Sequence, residues 1–195
     1  MTKSELKEFL DEKVILYNNP KFIESDPIQI PHSFTLKEDI EIAGFLSATI
    51  AWGNRKMIIN NAKQLMGIMG NSPYDFIVNH KENDLEKLSG FVHRTFNSID
   101  AVYFIKSLQN IYQNHNGLES VFAKHQEATS LQNSISEAKK VFFEFKDNLF
   151  GVRLITAEDF FLGDSKVLKG SVLYSSSNFL FKFNFFKSLN SSKFF

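Results

Sequence analysis

The chain has 195 residues, no cysteine and a formal net charge of zero, with 22 basic and 22 acidic side chains. This length is enough for one domain with a buried core. The lack of cysteine excludes disulfides, thiolate zinc sites and cysteine nucleophiles, and it fits the cytoplasm, where we expect the protein to be. The balanced charge lacks the basic excess that is typical of nucleic-acid-binding proteins.

A first helix is predicted near the N-terminus, where Thr2 and Glu5 have the spacing of a capping box. Apolar side chains recur along this helix at Leu6, Phe9, Leu10 and Val14. The segment 18–33 contains three prolines and is predicted to be an irregular, extended lead-in. Within that segment Asp26 precedes Pro27, and we expect it to form a turn.

The central feature of the sequence is a predicted helical hairpin. Its first helix opens with a capping box at Thr35 and Glu38. No residue from Ile42 to Trp52 is charged, so this helix should be buried on most sides. Gly53-Asn54 breaks the run, and the second helix then shows an amphipathic pattern. Its apolar positions are Ile58, Ala62, Leu65, Met66 and Met69.

Further elements follow the hairpin. A short helix is predicted from Ser72-Pro73, and residues 91–96 are predicted to be a loop or a short helix. A long helix is predicted from residue 97 to a left-handed cap at Asn116-Gly117. The remaining predictions are a short apolar turn over residues 118–122 and a last helix from Ser130 to Leu149 that ends at Gly151.

These patterns predict an all-α fold, with a helical domain over residues 1–165 and an atypical tail over residues 166–195. The last 25 residues hold seven of the 22 phenylalanines, seven serines and no acidic residue. Such a stretch has high β propensity and a tendency to aggregate. We expect the chain to leave its ancestral reading frame near residues 166–171. The alternative is a native terminal β-hairpin or a segment that lies on a lipid surface.

Motifs for catalysis and for metal binding are missing from the sequence. The five histidines have no metal-ligand spacing, and no glycine-rich phosphate loop or nucleophile motif is present. The carboxylates lie at predicted helix starts and on solvated faces. Those at helix starts interact favourably with the helix dipole. We therefore predict no catalytic residue, no metal site and no cofactor.

The best candidates for phosphate binding lie at the turn of the helical hairpin. Gly53, Asn54, Arg55 and Lys56 would place backbone amides and two cations at the start of a helix, an arrangement that favours phosphate. The alternative is a polar turn in which Arg55 pairs with a local acid such as Asp39.

Two further candidates come from aromatic and cationic neighbours. His93 and Arg94 lie between phenylalanines and either face phosphates or pair with a carboxylate. Trp52, beside the turn, either stacks on a nucleic-acid base or closes the protein core.

Three runs of the sequence resemble a known family: FIESDPIQIPHSF, EIAGFLSATIAWGNRKMIINNAKQLM and FVHRTFN. They resemble an uncharacterised bacterial family that is known only as a domain of unknown function, over residues 8–150 or so. More distantly, the second run is similar to the early helix pair of the helix-hairpin-helix DNA glycosylases. NSPYDFIV and NSIDAVYFIKSLQNIYQNHNGLESVF are similar to the segments that follow in those enzymes.

The resemblance implies the N-terminal half of a glycosylase fold and weak binding to duplex DNA. The glutamine that enters DNA in those enzymes is Thr49 here, and their catalytic aspartate would follow Gly170, where this chain is rich in phenylalanine. The resemblance therefore implies a truncated, catalytically incomplete glycosylase-like protein with an ancestral DNA-binding or base-repair role. The alternatives are a non-enzymatic helical interaction module and an enzyme that acts on a small nucleotide.

Overall fold

The computed structural model describes residues 1–123 and 132–144, which form a helical domain with one small antiparallel hairpin. The predicted all-α fold class is confirmed. In the hairpin, β1 (Val92–His93) pairs with β2 (Phe96–Asn97). The helices of the described part are α1 (Lys3–Tyr17), α2 (Pro20–Ile23), α3 (Lys37–Thr49), α4 (Arg55–Ile68), α5 (Pro73–Asn79), α6 (Glu82–Leu85), α7 (Ser98–Asn114), α8 (Gly117–Ala123) and α9 (Gln132–Phe142).

Helices α3 and α4 form the predicted central hairpin. Residues 42–47 of α3 are buried without interruption, as the uncharged run predicts. Every apolar position predicted for α4 is buried, so the amphipathic pattern identified the correct face. Helix α7 crosses the same core, and its largest buried side chains include Phe104, Ile105, Leu108 and Ile111.

Several local predictions are corrected by the structure. Helix α3 takes Leu36 as its N-cap, one residue later than predicted, and has no side-chain cap bond, so the predicted capping box of Thr35 and Glu38 is wrong. Segment 18–33 is not extended, because each of its three prolines starts a short helical turn. The β-hairpin spans residues 92–97, where a loop or a short helix was predicted over 91–96, and residues 118–122 lie within helix α8.

Helix α1 has the predicted capping box of Thr2 and Glu5, but its apolar stripe is exposed. The side chains at the four predicted stripe positions are between 41% and 56% exposed. A helical pattern indicates which face is apolar, but it does not indicate what covers that face. None of the helices described here is both long and apolar enough to cross a lipid bilayer.

The predicted end of α7 is confirmed. Asn116 and Gly117 both have positive φ, 59° and 88°, which is the left-handed geometry of a helix C-terminus. Helix α9 is described only from Gln132 to Phe142. The predictions for Leu131, for the helix end at Gly151 and for the tail over 166–195 lie outside the described residues.

A carboxylate lies inside the core, where Glu41 of α3 is 4% exposed. Its Oε2 accepts a hydrogen bond from the Tyr112 hydroxyl of α7 at 2.9 Å, and its Oε1 lies 3.8 Å from Lys37 Nζ. Lys37 also pairs with Glu119 of α8. Burial raises the pKa of Glu41, while the Tyr112 hydrogen bond and Lys37 oppose that change. This network ties α3, α7 and α8 together.

Glu41→Gln is expected to stabilise the protein at about pH 7.5 relative to the wild type, and to flatten the pH dependence of its stability. Because the pKa of Glu41 is raised, the folded protein takes up this proton more readily than the unfolded chain. That contribution is fully present below the unfolded pKa and is lost as pH rises through the folded pKa. Urea unfolding at about pH 4.5 and about pH 7.5 measures the difference.

Glu8→Gln, on the exposed helix α1, is the matched control for this experiment and should change little. A wild type that gains stability over the Glu41→Gln variant as the pH rises would contradict the account.

Candidate nucleic-acid interface

The turn between α3 and α4 depends on Gly53 and Asn54. Gly53 has φ of 104°, which L side chains rarely adopt, and it turns the chain into α4. Asn54 is the N-cap, and its Oδ1 accepts from the backbone amides of Lys56 at 3.0 Å and Met57 at 3.3 Å. Of the amides predicted to face phosphate, that of Lys56 is therefore already occupied, and the exposed cations are the charged groups of this turn that can bind an anion.

The β-hairpin brings the second predicted cluster to this turn. Arg94 lies at the hairpin tip with φ of 56°, and its side chain packs on Gly53. A Cβ at position 53 would lie 2.9 Å from Arg94 Nη1. Two clusters that are separate in sequence thus form one exposed patch. We call residues 52–56, 92, 94 and 95 the turn–hairpin surface.

His93 lies beneath this surface and not on it, with no exposed area. Its Nε2 lies 3.2 Å from the Trp52 carbonyl, and its Nδ1 lies 2.8 Å from the Asn61 side-chain amide. Burial lowers the pKa of His93, and the nearby charge of Arg94 lowers it further. The prediction that His93 contacts phosphate is therefore corrected, because a buried neutral ring cannot pair with an anion outside.

Trp52 packs against the core, in agreement with the second of its two predicted roles. Its ring is half-buried and meets the His93 ring edge-on, with centroids 5.1 Å apart. Stacking of Trp52 on a base stays a prediction.

Arg55 has an acidic neighbour, but a different one from the acid we named. Its guanidinium lies 3.8 Å from Asp26 and 5.7 Å from the ring centre of Phe22. Asp39 instead accepts from the backbone amide of Tyr74 at 2.8 Å. Asp26 also caps a turn as predicted, because its Oδ1 accepts from the backbone amide of residue 28 at 3.1 Å.

Lys56 and Arg94 differ from Arg55 in their surroundings. Both side chains are exposed, and within residues 1–123 and 132–144 neither has an acidic partner at ion-pair distance. Over the same residues, no group of three histidine, aspartate or glutamate side chains is placed to hold a metal ion. The turn–hairpin surface therefore combines two unpaired cations with one that is shared with Asp26.

A comparison with family models finds a match over residues 26–166 to the family described as Protein of unknown function (DUF2400). The chain belongs to this family. The expected resemblance to a domain of unknown function is thus confirmed, with a match that starts later and ends later than we predicted. The match includes the whole turn–hairpin surface and leaves out α1. No curated protein and no solved structure matches the chain.

Gly53→Ala is expected to lower the free energy of unfolding by about 1–3 kcal/mol, because a side chain at this φ is strained. The new Cβ would also displace the Arg94 side chain. Chemical denaturation measures the loss.

Gly67→Ala, within α4, is the matched control, because a Cβ at position 67 meets no atom within 4 Å. This variant should gain about 0.5–1 kcal/mol, since alanine is the better helix former. Equal effects at the two glycines would contradict the strain that is expected for a side chain at position 53.

Proposed function

We propose that this protein binds duplex DNA, with the turn–hairpin surface in contact with backbone phosphates. Arg94 and Lys56 are the main cations of the proposed site, and Arg55 is the third. The observation that carries the proposal is the contact of the Arg94 side chain with Gly53 at the start of α4. It places cations from two distant parts of the chain on one exposed patch, where phosphates bind favourably.

The resemblance to the helix-hairpin-helix DNA glycosylases favours duplex DNA as the source of the phosphates. The residue at the glycosylase glutamine position, Thr49, is 1% exposed and donates its hydroxyl to the Phe45 carbonyl at 2.8 Å. Thr49 therefore does not reach a DNA base. We propose a glycosylase-like protein that contacts DNA and assign it no catalytic residue of its own.

The charge of the chain sets the expected strength of binding. Residues 1–170 carry 19 basic and 22 acidic side chains, so the proposed site is a local patch on a mildly acidic protein. Three phosphate contacts on duplex DNA correspond to a slope of about −2.7 in log K against log salt. We therefore propose weak, salt-sensitive binding.

A second candidate function is that of a helical interaction module, which is favoured by the exposed apolar face of α1. Binding through that face would bury apolar side chains and would depend little on salt. Salt dependence therefore separates the two proposals.

The proposal is tested by a salt titration of binding to a labelled duplex. The wild type should show the slope of about −2.7, and Arg94→Ala and Lys56→Ala should each reduce its size by about 1. Lys3→Ala, on α1, removes the same charge away from the site and should leave the slope unchanged. Binding that does not depend on salt, or that ignores Arg94→Ala, would overturn the proposal.

Asp26→Asn is expected to tighten DNA binding about two- to fivefold, the effect of one exposed charge interaction. The change removes the negative charge beside Arg55. It should leave the fold intact, because asparagine caps a helical turn as well as aspartate does. Asp11→Asn, on α1, changes the net charge equally and serves as the control. Equal affinities of the two variants would count against a role for Arg55.

A further inference from the structure

His93 links three segments that form the turn–hairpin surface. The Trp52 carbonyl can only accept a hydrogen bond, so Nε2 of His93 carries the proton and donates it at 3.2 Å. Nδ1 is then the acceptor for the Asn61 amide, which lies 2.8 Å away on α4. Nε2 can donate to Trp52 in either charge state, but Nδ1 can accept from Asn61 only in the neutral ring, so the two contacts together require one neutral tautomer.

Protonation of the His93 ring would disturb its hydrogen bond with Asn61 and would change the charges around it. An added proton at Nδ1 would face the amide of Asn61, so that two donors would meet. Asn61 would have to turn its oxygen toward the ring, and its amide would then leave the Val92 carbonyl, now at 3.5 Å. The new charge would also lie beside Arg94.

The groups that face His93 make this protonation unfavourable. From its own hairpin the charged neighbour is Arg94, and from α4 the facing group is the uncharged Asn61. The segment before α4 contributes the carbonyls of Trp52 and Ile50. In the part of the chain that the structure describes, no carboxylate contributes to the shift of the His93 pKa.

We propose that His93 is a positioning residue that holds Arg94 on the turn while its ring is neutral and releases the hairpin when it takes up a proton. Acidification then weakens the binding of DNA phosphate at the turn–hairpin surface. This inference rests on the proposed function. This weakening of DNA binding needs no reactant other than a proton, which comes from solvent and binds Nδ1 of His93.

The proposed weakening of DNA binding in acid is opposite in sign to the effect of protonating groups on the protein surface. In general, lower pH adds positive charge to exposed histidines and removes negative charge from carboxylates, and both changes favour binding to DNA. A protein in which His93 does not position Arg94 should therefore bind DNA more tightly in acid.

The experiment compares duplex affinity at about pH 7.5 and about pH 5 for the wild type, His93→Gln and Arg94→Ala. Glutamine stays neutral and can both donate to the Trp52 carbonyl and accept from Asn61. The wild type should bind about two- to fivefold more weakly in acid, the effect of losing one exposed ion pair. Neither variant should lose affinity in acid, and a pH profile of His93→Gln like that of the wild type would overturn the inference.

A second measurement uses the DNA-free wild type, so that it does not depend on the proposed function. Ring ¹⁵N shifts of His93 should show a neutral ring with the proton on Nε2 at about pH 7.5, and the Arg94 amide should shift with the same titration. A ring that is charged at that pH, or an Arg94 amide that ignores the titration, would overturn the inference. If these shifts occur and no variant binds DNA at either pH, the proposed function fails and the positioning role of His93 stands.

Discussion

The candidate interface depends on the burial of one uncharged imidazole. His93 has no exposed area, and it is held by the Trp52 carbonyl and the Asn61 amide. Through these contacts the β-hairpin is fixed to the turn between α3 and α4, and the Arg94 side chain lies on Gly53. The location of the cationic patch is therefore set by a polar contact inside the protein rather than by the cations themselves.

Unfavourable backbone geometry accompanies this contact. Gly53 and Arg94 both have positive φ, and the two residues touch. Glycine adopts such angles readily, whereas an arginine there costs about 1–3 kcal/mol. Strained residues of this kind are concentrated at functional sites. Glycine would adopt the backbone conformation at position 94 more easily than arginine does. The presence of arginine there agrees with a role for its guanidinium.

Local pattern predicted the helices well and predicted the contacts between distant segments poorly. The apolar stripe of α4 and the left-handed end of α7 depend on neighbouring residues, so the sequence showed both. The β-hairpin was missed because its strands are two residues long, which is too short for an alternating pattern to be recognised. Asn61 was missed because its partner is 32 residues away, although a polar residue beside the apolar stripe of α4 was a usable signal.

The sequence indicated the two clusters of the candidate site, but it did not indicate that they lie together in the fold. Both clusters were identified from their cations, yet no sequence pattern indicated that they meet or that His93 lies beneath them. The acid beside Arg55 was also misplaced, because Asp26 reaches it from an earlier segment while Asp39 binds the backbone of Tyr74. Helix α1 shows the same limit, since its apolar face was predicted and its exposure was not.

The most direct measurement is a backbone-amide NMR titration of the ¹⁵N-labelled protein with a short duplex. If the turn–hairpin surface binds phosphate, the amides of residues 53–56 and 94–95 will shift first and will saturate together. Shifts that are confined to α1, or an unchanged spectrum from a folded protein, would contradict the account.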